Sequence, residues 1–443
     1  MHAHNTTDRW SLAKRLAFRF LFLSFVLTFA SSLVSLLPWV GSVGGWLDEA
    51  VQPFYLWVGR AVFGVEIVIT PTGSGDTTYG WVQFATNLAL AIAGTAVWSV
   101  VDRRRPSYPW LRDGLWIAMR FVLAGAMFSY GFSKVYGLQF PEPDFWRLTS
   151  EYGQSSPMGL LWTFMGSSQP YSMFGGWMEV IGGLLLCFRR TQLAGALFTS
   201  GVMTNVFVLN LCYDVPVKLY SFQLLAMGLV IAAPDMPRLL RMFILNREAA
   251  PADLLGPWTK PVLRRVAVVT KLVWLVVTLS LVVSETASAR EQIRAGSPKG
   301  DLAGSWEVIE HRIDGVELPA LGTDARRWKY LVLAENQGQQ FAVATAIQGV
   351  RKAWRVERSD SGLKLRAMRP APTQDPADDP IVGTLEVEFE SALEVAREGE
   401  KRLRLTGMLE GVRVEAACEL REARDFPLMS RGFHWINEHP FNR

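Results

Sequence analysis

Up to about Ser284 the chain is a succession of apolar runs joined by short polar connections. Beyond it, charged and polar residues alternate with Val, Leu and Trp. A run of roughly 20 apolar residues spans a bilayer core of about 30 Å. The first part therefore reads as an all-α polytopic membrane bundle, and the second as a soluble domain. Seven spans are expected, at about 17–38, 81–101, 114–136, 173–188, 192–211, 217–233 and 266–284. The stretch "VQPFYLWVGRAVFGVEIVIT", 51–70, is the candidate for an eighth. Pro53, Arg60 and Glu66 speak against a crossing there. An interfacial helix over 46–62 is expected instead, with Trp46, Tyr55 and Trp57 at headgroup level.

Basic residues in short loops mark the cytoplasmic side of a membrane protein. Arg9, Lys14 and Arg15 precede the first span, and "DRRRPSYPWLRD" follows the second with four arginines. Arg189 and Arg190 follow the fourth span, and "RLLRMFILNREAAPADLLGPWTKPVLRR" carries six basic residues before the last. The intervening loops hold only Arg60, Arg147 and Lys218. The N-terminus is therefore expected in the cytoplasm of a bacterial cell, its first apolar run an uncleaved span of the inner membrane. An odd number of spans then puts the C-terminal domain in the periplasm. On that outer side "PDFWRLTSEYG" is expected to form a helix, with Asp144 as N-cap and Gly153 as its stop.

The net charge of +4 is spread without a basic patch, which excludes a nucleic-acid footprint. Cys187, Cys212 and Cys418 are too few for a disulfide framework, and no CxxC pair is present to exchange thiols. No span carries paired histidines for haem, no metal motif is present, and no Gly-rich nucleotide loop follows a strand.

Charges inside spans are costly and tend to face a bundle interior or a water-filled cavity. Lys134, Glu179, Asp214 and Lys218 all map to the outer half of the bundle, on spans three to six. Asp214 and Lys218 flank a tight turn, in which Pro216 suits the first position of a helix and Asp214 its cap. These four residues are the candidate polar site, with Glu179 and Lys134 at its centre. Asn205 and Asn210, with Tyr130, Tyr213 and Tyr220, extend a hydrogen-bonding lining. Arg120 and Lys271, near the opposite ends of their spans, are expected to snorkel.

Residues 112–245 resemble the DoxX-like family of small four-helix membrane proteins. The likeness lies in "FVLAGAMFSYGFSKVYGLQF", "WMEVIGGLLLCFRRTQLAGALFTSGVM" and "YDVPVKLYSFQLLAMGLVIAAPD". The resemblance implies a membrane subunit of a respiratory or thiol redox system. Electrons would then be carried by a bound quinone or by a redox partner subunit. It carries over Lys134 and Glu179 as family-like polar positions, without a catalytic assignment. The "YGFSK" segment also resembles the membrane domain of vitamin-K-dependent carboxylases.

After a linker at 289–301, the domain 302–443 shows about eight short alternating runs divided by Gly, Asn or Asp turns. That is the pattern of a small antiparallel up-and-down barrel. "GSW" at Gly304–Trp306 resembles the opening of lipocalin-like barrels, which implies that Trp306 closes one end against an arginine, Arg421 or Arg424. Such a barrel either holds an apolar ligand or is filled by its own side chains. If it holds one, the chain is a non-enzymatic anchor presenting a lipid-binding or chaperone-like barrel. "RPAPTQDPADDP", 369–380, reads as a mobile loop. His434, Glu438 and His439 match no zinc spacing, and the aromatic tail with Phe433, Trp435 and Phe441 is expected to pack on the barrel or the membrane surface.

Overall fold

The computed structural model describes residues 9–36, 41–69, 73–252, 261–296, 302–322, 324–336, 339–359, 362–369 and 385–439. It separates into two compact units, Met1–Pro141 with Ser168–Ala287, and Glu142–Ser167 with Ser288–Arg443. The loop 369–380 lies outside the described residues apart from Arg369, as does Phe441.

The first unit is helical: α1 (Leu12–Ser35), α2 (Gly41–Ala61), α3 (Thr78–Val101) and α4 (Pro109–Val135) precede the residues that leave for the second unit. Those residues form α5 (Phe145–Thr149) and α6 (Pro157–Gly166). The first unit resumes with α7 (Gln169–Cys187), α8 (Gln192–Cys212), α9 (Lys218–Ala232), α10 (Met236–Leu239) and α11 (Pro261–Gly296). Among the described residues six helical stretches are long and apolar enough to cross a membrane: Leu12–Ser35, Thr78–Val101, Pro109–Val135, Gln192–Cys212, Lys218–Ile244 and Pro261–Arg294. The chain is thus a multi-pass membrane protein.

The expected span at 173–188 falls on α7, which is helical but not among those six. Its glycines and Glu179 lower its apolarity, and it packs against α4 over glycine contacts. A Cβ at Gly176 would lie 2.5 Å from the Gly131 carbonyl oxygen, and one at Gly183 would lie 2.8 Å from the Phe128 ring. Small residues let helix backbones approach this closely in a membrane.

Helix α2 covers the helix expected over 46–62; it ends at Ala61 and is not among those six. Trp46 and Trp57 are exposed. Tyr55 is a correction to the headgroup reading: it turns inward, buried, and donates to Asn87 Oδ1 at 2.7 Å. The expected linker is also partly helical, since α11 runs on to Gly296. Its 36 residues make a rod of about 54 Å, well beyond a hydrocarbon core.

The second unit is an eight-stranded antiparallel barrel. Strand β1 (Gly304–Ile313) is followed by the two-residue β2 (Val316–Glu317), which pairs only with β1. Strands β3 (Trp328–Asn336), β4 (Gln339–Ala346), β5 (Arg351–Ser359), β6 (Gly362–Arg369), β7 (Leu385–Arg397), β8 (Arg402–Leu409) and β9 (Val412–Arg421) follow in spatial order. Pairing of β1 with β9 closes the ring. Inward positions carry Trp306, Trp328, Trp354 and a set of leucines. The space among Trp328, Trp354 and the leucines around them is about 10 Å³, room for no more than about one water. That part of the barrel is packed by its own side chains.

The segment 142–167 belongs to this unit: the Phe145 ring stands edge-on to Tyr330 at 5.2 Å and to Phe426 at 5.7 Å. Asp144 caps α5 as expected, accepting from the Arg147 N–H at 2.9 Å. That helix stops at Thr149, however, and Gly153 sits in a later turn. In the tail, after α12 (Pro427–Ser430), Phe433 and Trp435 are exposed and meet edge-to-face at 5.0 Å instead of packing on the barrel. No group of three or more metal-ligating side chains occurs among the described residues.

Candidate functional site

Helix α4 ends at Val135 and is turned off by Gly137, whose φ of +68° lets the Leu138 N–H turn back to the Ser133 carbonyl at 2.8 Å. That stop fixes Lys134 in the last turn, pointing at α7. The glycines of α7 bring its backbone close enough for Glu179 to meet the lysine. Lys134 Nζ donates to both Glu179 oxygens at 2.8 Å, with the residues 7% and 3% exposed. Burying two charges is repaid only by such close pairing, so neither side chain can be replaced alone without stranding the other. Tyr130, one turn earlier on α4, sets its ring 5.7 Å from Lys134 Nζ and 6.1 Å from the Tyr220 ring of α9.

These two tyrosines also line a cleft of 680 Å³, bounded by α1, α2, α3, α4 and α9. Phe29 and Phe84 give it apolar walls. Gln83, Asn87 and Gln223 give it carboxamides, and Asp48 and Glu49 of α2 supply its carboxylates. No basic side chain is among its described lining residues. Asn87 lies nine residues into α3, so the cleft reaches roughly two turns into the bundle. Sequence reading missed most of this wall. The available signal was the polarity within α3, where Gln83, Thr86 and Asn87 interrupt an apolar run.

Asp214 and Lys218 border the cleft differently from expectation. Asp214 is exposed, with a φ of +51°, and its carboxylate accepts from Lys218 Nζ at 2.8 Å. It does not cap α9. Asp76 does, its carboxylate accepting the backbone N–H of Lys218 at 2.8 Å and of Leu219 at 3.0 Å. The Gly75 and Asp76 amides in turn donate to the Pro216 carbonyl. The segment ahead of α3 is thereby tied to the turn ahead of α9, and both form cleft wall. Asn205 is exposed on α8 and away from the pair, whereas Asn210 is buried and donates to Ser221 Oγ at 3.0 Å.

In the barrel, Trp306 is buried and donates from Nε1 to the Leu302 carbonyl at 3.1 Å. Arg421 does not stack on it. Register pairs Arg421 with Ser305, on the opposite face of the sheet, where it binds Glu307 at 2.7 Å. Arg424 pairs with Glu422 on the surface. The buried arginine is Arg327, whose Nη2 donates to the Val308 and Ile309 carbonyls at 3.0 and 2.9 Å. Beside it His311 stacks on Trp328 at 4.7 Å, with its Nδ1 accepting the Trp328 N–H. Burial and the neighbouring guanidinium push the His311 imidazole down to about 4.

Over 135 residues the chain is 30% identical to the uncharacterized protein YwoB of Bacillus subtilis (strain 168), a match that takes in 30% of this chain and 84% of that protein. No family model matches the chain, so the likeness of 112–245 to DoxX-like proteins gains no support there. No solved structure matches either.

Proposed function

Over its matched region this chain belongs to the family of the uncharacterized protein YwoB, and from that premise we propose that it is the membrane subunit of a redox system whose cleft binds a quinone headgroup. One juxtaposition carries the reading: Tyr130 stands between a polar cleft of 680 Å³ and a fully buried Lys134–Glu179 pair. An ionisable pair kept inside a membrane bundle is a functional candidate by its cost alone. Quinone oxygens need hydrogen-bond donors between apolar walls, and Tyr130, Tyr220, Gln83 and Gln223 offer them between Phe29 and Phe84. Lys134 and Glu179 lie beside Tyr130 as a buried ion pair outside the lining, and Lys218, paired with Asp214, stands between the lining residues Val217 and Leu219. Electrons come from a partner subunit, as in the DoxX-like reading.

The same reading places the cleft and the barrel outside the cytoplasm. The clustering of arginine-rich connections at the other helix ends supports this sidedness. The alternative of an anchor with a lipid-binding barrel is less favoured, since the space among Trp328, Trp354 and the leucines around them is only about 10 Å³.

The test is quinone retention by the purified full chain. Wild-type protein is expected to keep about one quinone per chain. A Tyr130→Phe/Tyr220→Phe double substitution is expected to lower the affinity at least about tenfold. Wild-type protein that neither retains nor rebinds quinone contradicts the proposal.

A further inference from the structure

Arg120 lies on α4 about 21 Å from Lys134 along the helix, toward the arginine-rich end of the bundle. The expected snorkelling is not what it does: the residue is 5% exposed, and its Nε donates inward to the Leu186 carbonyl at 2.8 Å. Among the described residues that is its only hydrogen bond, and no carboxylate pairs with it. The other buried cations of the bundle are matched. Lys134 has Glu179. Arg19 spends its guanidinium on the Tyr108 hydroxyl, Ser99 Oγ and the Asp102 carbonyl, and the Tyr108 hydroxyl passes the bond on to the Asp102 carboxylate at 3.0 Å.

A second cation comes to the same helix end. Lys271 of α11 holds Nζ 4.7 Å over the ring of Phe188, two residues beyond Leu186, and no described carboxylate pairs with it. The carboxyl end of α7 accounts for part of this. Its carbonyls attract cations, and its dipole is worth roughly half a negative charge. Arg120 and the Thr191 hydroxyl, which donates to the Leu185 carbonyl at 2.7 Å, already serve those carbonyls. Half a charge does not balance two full cations held where water is scarce. The Nη nitrogens of Arg120 and the ammonium of Lys271 remain without an acceptor among the described side chains.

We infer that Arg120 and Lys271 form a binding site for the phosphate group of an anionic phospholipid. A guanidinium fork presents parallel N–H groups to phosphate oxygens, and a lysine adds a point charge beside it. Basic pockets between membrane helices are suited to anionic headgroups, and the inner leaflet is where such lipids concentrate.

Full-length protein, purified in mild detergent and stripped of lipid, is incubated with phosphatidylglycerol, phosphatidylcholine or inorganic phosphate. Bound lipid is read by native mass spectrometry and stability by melting. Phosphatidylglycerol is expected to bind stoichiometrically and raise the melting temperature, while the other two do neither. Arg120→Gln, which keeps a donor for the Leu186 carbonyl, and Lys271→Gln are each expected to weaken that binding at least about tenfold. Equal binding of the two lipids overturns the inference, and so does inorganic phosphate reproducing the whole effect. Unchanged binding in Lys271→Gln overturns it as well. That position is partly exposed, so this readout survives if Arg120→Gln fails to fold.

Discussion

At the scale of single residues, Lys134 and Glu179 are each tolerable only because of the other. Removing one partner of a buried pair typically costs about 3–5 kcal/mol, while replacing both by apolar groups is close to neutral. Glu179→Gln is therefore expected to lower stability by about that amount, and Lys134→Met/Glu179→Leu to recover most of it; paired melting curves in one detergent decide. His311 gives a pH prediction. Its folded pKa of about 4 lies below the 6.5 of the unfolded chain, so the unfolded state binds the extra proton between those values. The barrel's stability is complete above about pH 6.5 and falls as pH drops toward 4, by up to about 3 kcal/mol. Unfolding at pH 7 and pH 5 checks this, and His311→Gln is expected to flatten the dependence. The pairing of Lys134 with Glu179 was legible in the sequence, because two isolated charges in apolar runs have few other partners. The choice of Asn210 over Asn205 was not. Five residues put them about 140° apart on one helix, and α8 is apolar on both faces, so nothing local says which asparagine turns inward.

At the scale of elements, glycine contacts and a borrowed cap hold the site. A Cβ at Gly176 would meet backbone, so Gly176→Ala forces α4 and α7 apart. It is expected to destabilise by about 1–3 kcal/mol and to loosen the ion pair, while Gly125→Ala, where a Cβ meets nothing within 4 Å, serves as the silent control. Asp76→Ala removes the cap of α9 and is expected to cost about 1 kcal/mol; Asp214→Ala should cost less than about 0.5 kcal/mol, as a surface pair does. Hydrogen exchange at the Lys218 and Leu219 amides separates the two. Helix existence and strand number could be read from periodicity, because burial on one face leaves a pattern in the chain. The identity of the cap could not, since the accepting residue, Asp76, lies 142 positions away from Lys218. Arg421 failed for a related reason. A three-residue motif marks where β1 begins, but only the register with β9 decides which face a late arginine takes.

At the scale of the whole molecule, a membrane bundle and a barrel share one chain, and the segment between α4 and α7 belongs to the barrel's unit. Hydropathy made the first division plain. The allocation of 142–167 was hidden, because it depends on contacts of Phe145 with Tyr330 and Phe426, which lie far along the chain in the barrel's unit. What the bundle does rests on whether its cleft admits a ligand from outside the cytoplasm. In a Cys212→Ser background, which removes the exposed native thiol, Gln83→Cys puts a thiol on the cleft wall. Intact spheroplasts are then treated with a membrane-impermeant maleimide, with and without added quinone. Labelling from outside that quinone suppresses is the expected result. A thiol that reacts only after the cytoplasmic face is opened, or equally well with quinone present, contradicts it.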